Sequence, residues 1–234
     1  RPFGASDLAV FARKATKSAS ITLDGLTGSL EWHRYEQQLQ EEGVESMRDR
    51  AILLQCPTHA AKVADLLPQS AKDRKTTVSR LAEAGALAWG ENLFVGAELD
   101  HASVCVGDEF EVQRPPANKT LWDRASELFF APDAPPRLQV TSPRRPCSRN
   151  DTKFGPAVRQ TAAQHGLAGI FLRVLEPGQV RVGDRLVRTR RPHPQWTLER
   201  VSRLVYGGGD ISRSHDFPPE QRTPSPEDVS ELQE

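Results

Sequence analysis

Pro143-Arg144-Arg145-Pro146-Cys147 sets a thiol just after two guanidiniums, framed by two rigid prolines. Positive charge beside a thiol favours its thiolate form, and prolines keep the approaching chain out of helical conformation. A thiolate held this way can ligate a soft metal, carry sulfur or attack an electrophile. The competing reading is packing: a lone cysteine is more often a small apolar filler, and Cys105, on an alternating strand, reads as core. Gly90-Glu91-Asn92-Leu93 brings a carboxylate and an amide together just before a strand. In the segment Arg185 to Arg191, Arg188, Arg190 and Arg191 are interleaved with Val187 and Thr189, so one face could meet RNA phosphates, contacts that fix position rather than sequence. The same charges would serve to blunt an exposed strand edge. His33, His59 and His101 have no zinc-ligand spacing, and Gly207-Gly208-Gly209 lacks the Lys-Ser/Thr of a phosphate loop, so it reads as a hinge.

These groups must be carried by short elements. Ser20 to Leu23 alternate toward a strand that runs into a turn at Asp24-Gly25, and residues 33–50 are charged and poorly patterned. Ala51 to Leu54 reads as a buried strand. Pro57 ends it, and Thr58 is expected to cap a helix through Leu67. A second helix is expected from Lys75 to Glu83. Val104-Cys-Val-Gly-Asp-Glu-Phe-Glu-Val112 and Val180-Arg-Val-Gly-Asp-Arg-Leu-Val187 echo each other, each a strand, a Gly-Asp turn and another strand, the pattern of a hairpin. Arg137 to Thr141 and Gly169 to Leu175 add strands, and Thr197 to Tyr206 has helical spacing. The expected class is mainly β with interposed helices, an antiparallel barrel rather than a doubly wound sheet.

The chain of 234 residues carries 31 basic and 31 acidic side chains. That zero hides an asymmetry: residues 1–136 sum to −5 (15 basic, 20 acidic), residues 137–203 to +10 (14 and 4) and residues 204–234 to −5 (2 and 7). Overall neutrality argues against a protein coated with nucleic acid, yet leaves the basic segment 137–203 free to contact rRNA. Arginine outnumbers lysine by 24 to 7, favouring bidentate pairing with phosphate or carboxylate. No uncharged apolar run approaches the ~18 residues of a membrane span. Three cysteines are too few for a disulfide scaffold, which suggests a reducing compartment. The expected organisation is an N-terminal extension at 1–19, a barrel domain at 20–206 with a proline-rich insertion at 114–136, and an acidic Pro/Ser tail at 207–234.

Gly90-Glu-Asn-Leu93, Val106-Gly-Asp108, Pro143-Arg-Arg-Pro-Cys147 and Phe171-Leu-Arg-Val-Leu-Glu-Pro-Gly178 stand in the order seen in MOSC domains, and over roughly residues 20–206 the chain resembles them. These are the domains of molybdenum-cofactor sulfurase C-termini and of bacterial hydroxylaminopurine-resistance proteins. The resemblance implies a β-barrel fold and a pocket for molybdopterin. It makes Cys147 the residue that binds molybdenum or carries sulfur, with N-hydroxylated substrates reduced. It places Arg144 and Arg149 near the pterin phosphate, while Glu91 and Asn92 shape the pocket. The chain departs from the family pattern at three places: Gly28 is followed by Ser29, Ile170 replaces an aromatic, and Glu45-Ser46-Met47 stand where a His-Gly-Gly stretch precedes Asp49-Arg50-Ala51. Lost glycines remove close backbone approach to a ligand, and an acid there repels phosphate.

Two functions follow. In the first, the domain is a non-catalytic subunit of a large mitochondrial assembly, with the ribosome as a candidate. It would hold no cofactor, and its tail would contact protein partners. The basic, processed-looking start supports a mitochondrial address, with the cytoplasm as the alternative. In the second, the chain is a molybdenum-cofactor enzyme or sulfur carrier using Cys147.

Overall fold

The computed structural model describes residues 18–26, 45–71, 73–83, 89–96, 99, 101–114 and 135–206. The tail at 207–234, nearly all of the extension at 1–19 and most of the insertion at 114–136 lie outside them.

Two sheets form. The smaller has the order β2-β1-β8, built from β1 (Ser18–Thr22), β2 (Gly25–Leu26) and β8 (Gly178–Arg181). The larger is a six-stranded, curled half-barrel with the order β4-β3-β7-β6-β5-β9. Its strands are β3 (Ile52–Gln55), β4 (Leu93–Phe94), β5 (Glu109–Gln113), β6 (Arg137–Pro143), β7 (Ile170–Glu176) and β9 (Arg185–Arg190). Every pairing is antiparallel except β3 with β4. All four residues of β3 are buried, because it lies inside the sheet with both faces covered. On β7, Ile170, Leu172 and Val174 are buried and alternate with Phe171, Arg173 and Leu175, so one face enters the core.

Among the described residues, five helices pack largely on one another, and the last also on β6: α1 (Pro57–Leu66), α2 (Arg74–Ala82), α3 (Ser148–Phe154), α4 (Pro156–Gln164) and α5 (Leu198–Tyr206). The 3-10 helix Glu45–Arg50 packs on β7 and β6. There are accordingly two cores. The sheet core gathers Ile52, Leu54, Leu138, Val140, Ile170, Leu172 and Leu198. The helical core gathers Val63, Leu81, Trp89, Phe154, Val158 and Leu167. Trp89 and Phe154 meet with ring centroids 4.9 Å apart.

Two sequence expectations need correction. Helix α1 starts at Pro57, not behind a Thr58 cap; Cys56 is the N-cap, and proline suits the first helical position because its missing N–H has no partner there anyway. The two Val-Gly-Asp segments are turns but not hairpins. Cys105 bridges Thr197, while β5 pairs with β6 and β9; β8 pairs with β1 rather than with β9. Each turn passes the chain to a different set of partners, since the inward face of each flanking strand finds more apolar surface elsewhere than on its neighbour in sequence. No helix among the described residues is long and apolar enough to cross a membrane.

Candidate functional site

The three cysteines differ in exposure. Cys56 and Cys105 are buried, and burial pushes both thiols above the ordinary range. Cys56 Sγ lies 3.0 Å from Thr58 Oγ1, and Cys105 Sγ donates to Pro194 O. Both behave as packing residues. Cys147 is exposed, at the point where β6 has ended and α3 begins.

The chain around Cys147 is pinned from beneath. Arg144 is 8% exposed and reaches backbone carbonyls of two helical-core residues. Its Nη1 donates to Trp89 O at 2.7 Å and to Ala168 O at 3.3 Å, and its backbone N–H to Gly169 O at 2.8 Å. Two chain segments, at Trp89 and at Ala168, are thereby tied to one guanidinium, whose bonds to carbonyls offset the cost of its burial. Arg145 is turned the other way and is exposed. Behind the thiol, the fully buried Asn150 accepts the Cys147 N–H through Oδ1 at 3.2 Å, and its own N–H donates to Cys147 O at 2.9 Å. The same Oδ1 lies 3.9 Å from Sγ.

Glu91 is 1% exposed and receives the Trp89 N–H on Oε2 at 3.0 Å, closing the turn before β4. Its charge acts on Lys153 of α3, whose amine burial lowers and Glu91 holds back up. Asn92 mimics a strand residue: Oδ1 accepts the Leu53 N–H at 2.7 Å while its own N–H donates to Leu53 O, also at 2.7 Å. Glu91, Asn92 and Arg144 are thus bonded into the scaffold, with Glu91 and Arg144 meeting at the backbone of Trp89. Arg149 belongs to α3, but its side chain lies outside the description.

Sequence reasoning missed a second cationic feature. Arg50, at the end of the 3-10 helix, stands over the Phe171 ring at 5.9 Å. Burial raises the Tyr206 phenol, at the end of α5, and the charges of Arg145 and Arg50 oppose that rise. The sequence signals were the adjacency of Arg145 to the thiol motif and the place of Arg50 in Asp49-Arg50-Ala51. Asn150, also missed, does leave a trace: it stands three residues after the capping Cys147, the spacing of a capping box.

The arginines of β9 lie far along the sheet order, at the opposite edge from β4. Arg191 forms a two-pronged pair with the fully buried Asp108, Nε to Oδ1 at 2.9 Å and Nη2 to Oδ2 at 2.7 Å. Arg190 pairs with Glu109 at 3.0 Å, and Glu109 also holds Arg137 at 3.1 Å. Arg188 is exposed. Much of the positive charge counted in this segment is therefore used internally. His59 is fully buried with Nδ1 against Gln55 Oε1, and His33 lies outside the described residues. Among the described residues, no three His, Cys, Asp or Glu side chains gather around a common point.

Comparison with known proteins places these observations. The profile of the MOSC domain family matches residues 32–187. A protein of Gibberella moniliformis called a reductase is 29% identical over 119 residues, 50% of this chain and 18% of that protein. YflK of Bacillus subtilis, itself uncharacterised, is 32% identical over 120 residues, 51% of this chain and 44% of that protein. The chain therefore matches less than half the length of either relative. Among solved structures, a hypothetical protein aligns with a TM-score of 0.54 and 21% identity over 86% of this chain and 71% of its own. YiiM from Escherichia coli aligns with a TM-score of 0.52 and 19% identity over 92% of this chain and 83% of its own. These two establish the fold.

Proposed function

The chain belongs to the MOSC domain family, and from that premise we propose that it is a molybdenum-cofactor-binding module of a reductase, with Cys147 as its thiolate ligand. The observation that carries this is the exposure of Cys147 alone among three cysteines, on a backbone locked by Asn150 and Arg144. Family membership and a reductase among the relatives support the reading.

The residues at the corner fit such a group. A metal already carried by an organic cofactor needs one soft donor from the protein, and the Cys147 thiol is soft and accessible. The exposed Arg145 and Arg50, both acting on Tyr206, supply positive charge for the anionic part of the cofactor. Arg149 is assigned to the same task by resemblance. Once bound, the group supplies the electron-transfer chemistry that reduces an N-hydroxylated substrate. The chain's part is to hold the thiol, through the Asn150 and Arg144 bonds, and to keep Glu91 and Asn92 closing the sheet beneath it.

Production in a host that makes molybdenum cofactor tests this. Wild-type protein is expected to contain about one molybdenum per chain (one site) and to reduce hydroxylaminopurine with a viologen donor. Cys147→Ala is expected to lose both. A wild-type protein free of molybdenum overturns the reading.

One observation favours a second reading, the non-catalytic subunit of a larger assembly. Glu91, Asn92 and Arg144, the pocket residues implied by resemblance, are all occupied by scaffold bonds. On that reading no cofactor is held, and contact with rRNA or protein falls to the basic segment 137–203 and the tail, in mitochondria. Migration of the chain only in a megadalton particle without molybdenum would favour it.

A further inference from the structure

The two edges of the larger sheet are finished differently. At one edge β4 is only two residues long, so it offers an incoming chain almost no backbone. At the other, β9 runs for six residues without a proline and is bonded to β5 on one side. Among the described residues, no strand pairs with its other side. A strand of that length presents about 20 Å of unpaired N–H and C=O groups.

The charges along this edge are of one sign and unevenly engaged. Arg190 is paired with Glu109 and Arg191 with Asp108, while Arg114 and Arg137 are held by Asp184 and Glu176. Arg185 and Arg188 of β9, and Arg181 before the turn that leads into it, are exposed and have no carboxylate partner among the described residues. The register sets Arg185 opposite Gln113 and Arg188 opposite Phe110, so by alternation they stand on opposite faces of the sheet. An incoming strand therefore meets a free guanidinium on each face. A second copy of β9 would set arginine against arginine, and like charges across strands repel. Nucleic acid is a poor match as well. Tight binders neutralise about 6–10 phosphates, whereas here the few free cations stand beside Glu109, Glu111 and Asp184. An extended peptide with carboxylates meets both needs, pairing its main chain with the edge and its acids with the arginines.

We infer that the open edge of β9 is a docking edge for an extended acidic segment of a partner protein, which adds to the half-barrel as a further strand. Main-chain bonds supply the affinity, and Arg185 and Arg188 select carboxylates three residues apart on the incoming strand. The same two arginines keep copies of the chain from joining edge to edge. This surface is independent of what Cys147 holds.

Fluorescence anisotropy of the full chain with a labelled peptide of Thr-Glu-Val repeats tests this, because acids three apart fall on alternate faces of a strand. A peptide of Thr-Lys-Val repeats is the control. The acidic peptide is expected to bind and the basic one not, with amide hydrogen exchange slowed at β9 and not elsewhere in the larger sheet. Methylating alternate backbone nitrogens of the acidic peptide keeps its charge and is expected to weaken binding about tenfold, through lost main-chain bonds. Arg185→Glu combined with Arg188→Glu is expected to weaken the acidic peptide about tenfold and to let the basic peptide bind, which also shows that the variant folds. No binding of the acidic peptide overturns the inference, and so does equal binding of its methylated form or protection that falls away from β9. An oligouridine that binds more tightly than the peptide at about 150 mM salt also overturns it, since the edge would then read phosphates. If the double variant does not fold, the methylated peptide on the wild-type chain decides.

Discussion

The two Val-Gly-Asp turns have the same sequence and the same local bonds, yet different weight in the molecule. In each, the aspartate N–H donates to the carbonyl three residues back, and the aspartate Oδ2 accepts the N–H of that same residue: Asp108 with Cys105, Asp184 with Arg181. Each aspartate is then gripped by an arginine just beyond the end of the partner strand. Arg191, after β9, takes Asp108, which precedes β5; Arg114, after β5, takes Asp184, which precedes β9. The antiparallel β5–β9 pair makes the arrangement reciprocal. The difference is the arginine's grip and the surroundings, for both carboxylates are largely enclosed. Asp108 makes two bonds of 2.7 and 2.9 Å, with Val104 and Val106 tied to Leu198 and Trp196, whereas Asp184 has a single contact of 3.4 Å beside the almost fully exposed Val182. The contrast teaches that a motif sets local geometry and its surroundings set its energetic weight.

Substitutions can break that comparison. Asp108→Ala strands a guanidinium and a buried N–H, and urea denaturation is expected to show a loss of about 3 kcal/mol. At Gly107 (φ +84°), an added Cβ would come within 2.8 Å of Pro192 Cγ and 3.0 Å of the His193 ring. Gly107→Ala therefore combines left-handed strain with a clash, for an expected loss of about 2 kcal/mol. Gly183 (φ +95°) has open space around it, so Gly183→Ala carries strain alone. It and Asp184→Ala are each expected to cost about 1 kcal/mol in the same assay. If Asp184→Ala matched Asp108→Ala, the tightness of the arginine's grip would not be what separates the turns.

Much of the fold was legible because it is written in short-range patterns. Burial on β3 follows from an unbroken apolar run, alternation on β7 from a period of two, and α5 from helical spacing ending at glycines. Helices α3 and α4, at 148–164, went unread. The first is only seven residues long and polar, and the second begins at Pro156; both are held by Phe154, Val158 and Ala162 in the helical core. Strand partners were illegible for the same reason in both turns: adjacency in sequence favoured a hairpin, while apolar faces far apart in the chain paired instead. At the site, the thiol was legible from its flanking prolines and arginines. The tasks of Arg144 and Asn92 were not, because both are defined by carbonyl and amide groups of segments more than 20 residues away.

By itself the sequence determined residue chemistry and local conformation: the position of the thiol, the aspartate turns, the period of each strand and the count of charges. Tertiary structure alone decided which charges are spent and which remain available. Arg144, Arg190 and Arg191 look alike in the chain, yet one is consumed by carbonyls, one by the buried Glu109 that Arg137 also holds, and one by the buried Asp108. Whether a cation faces water or a partner depends on distances and solvent exclusion, and a one-dimensional count carries neither.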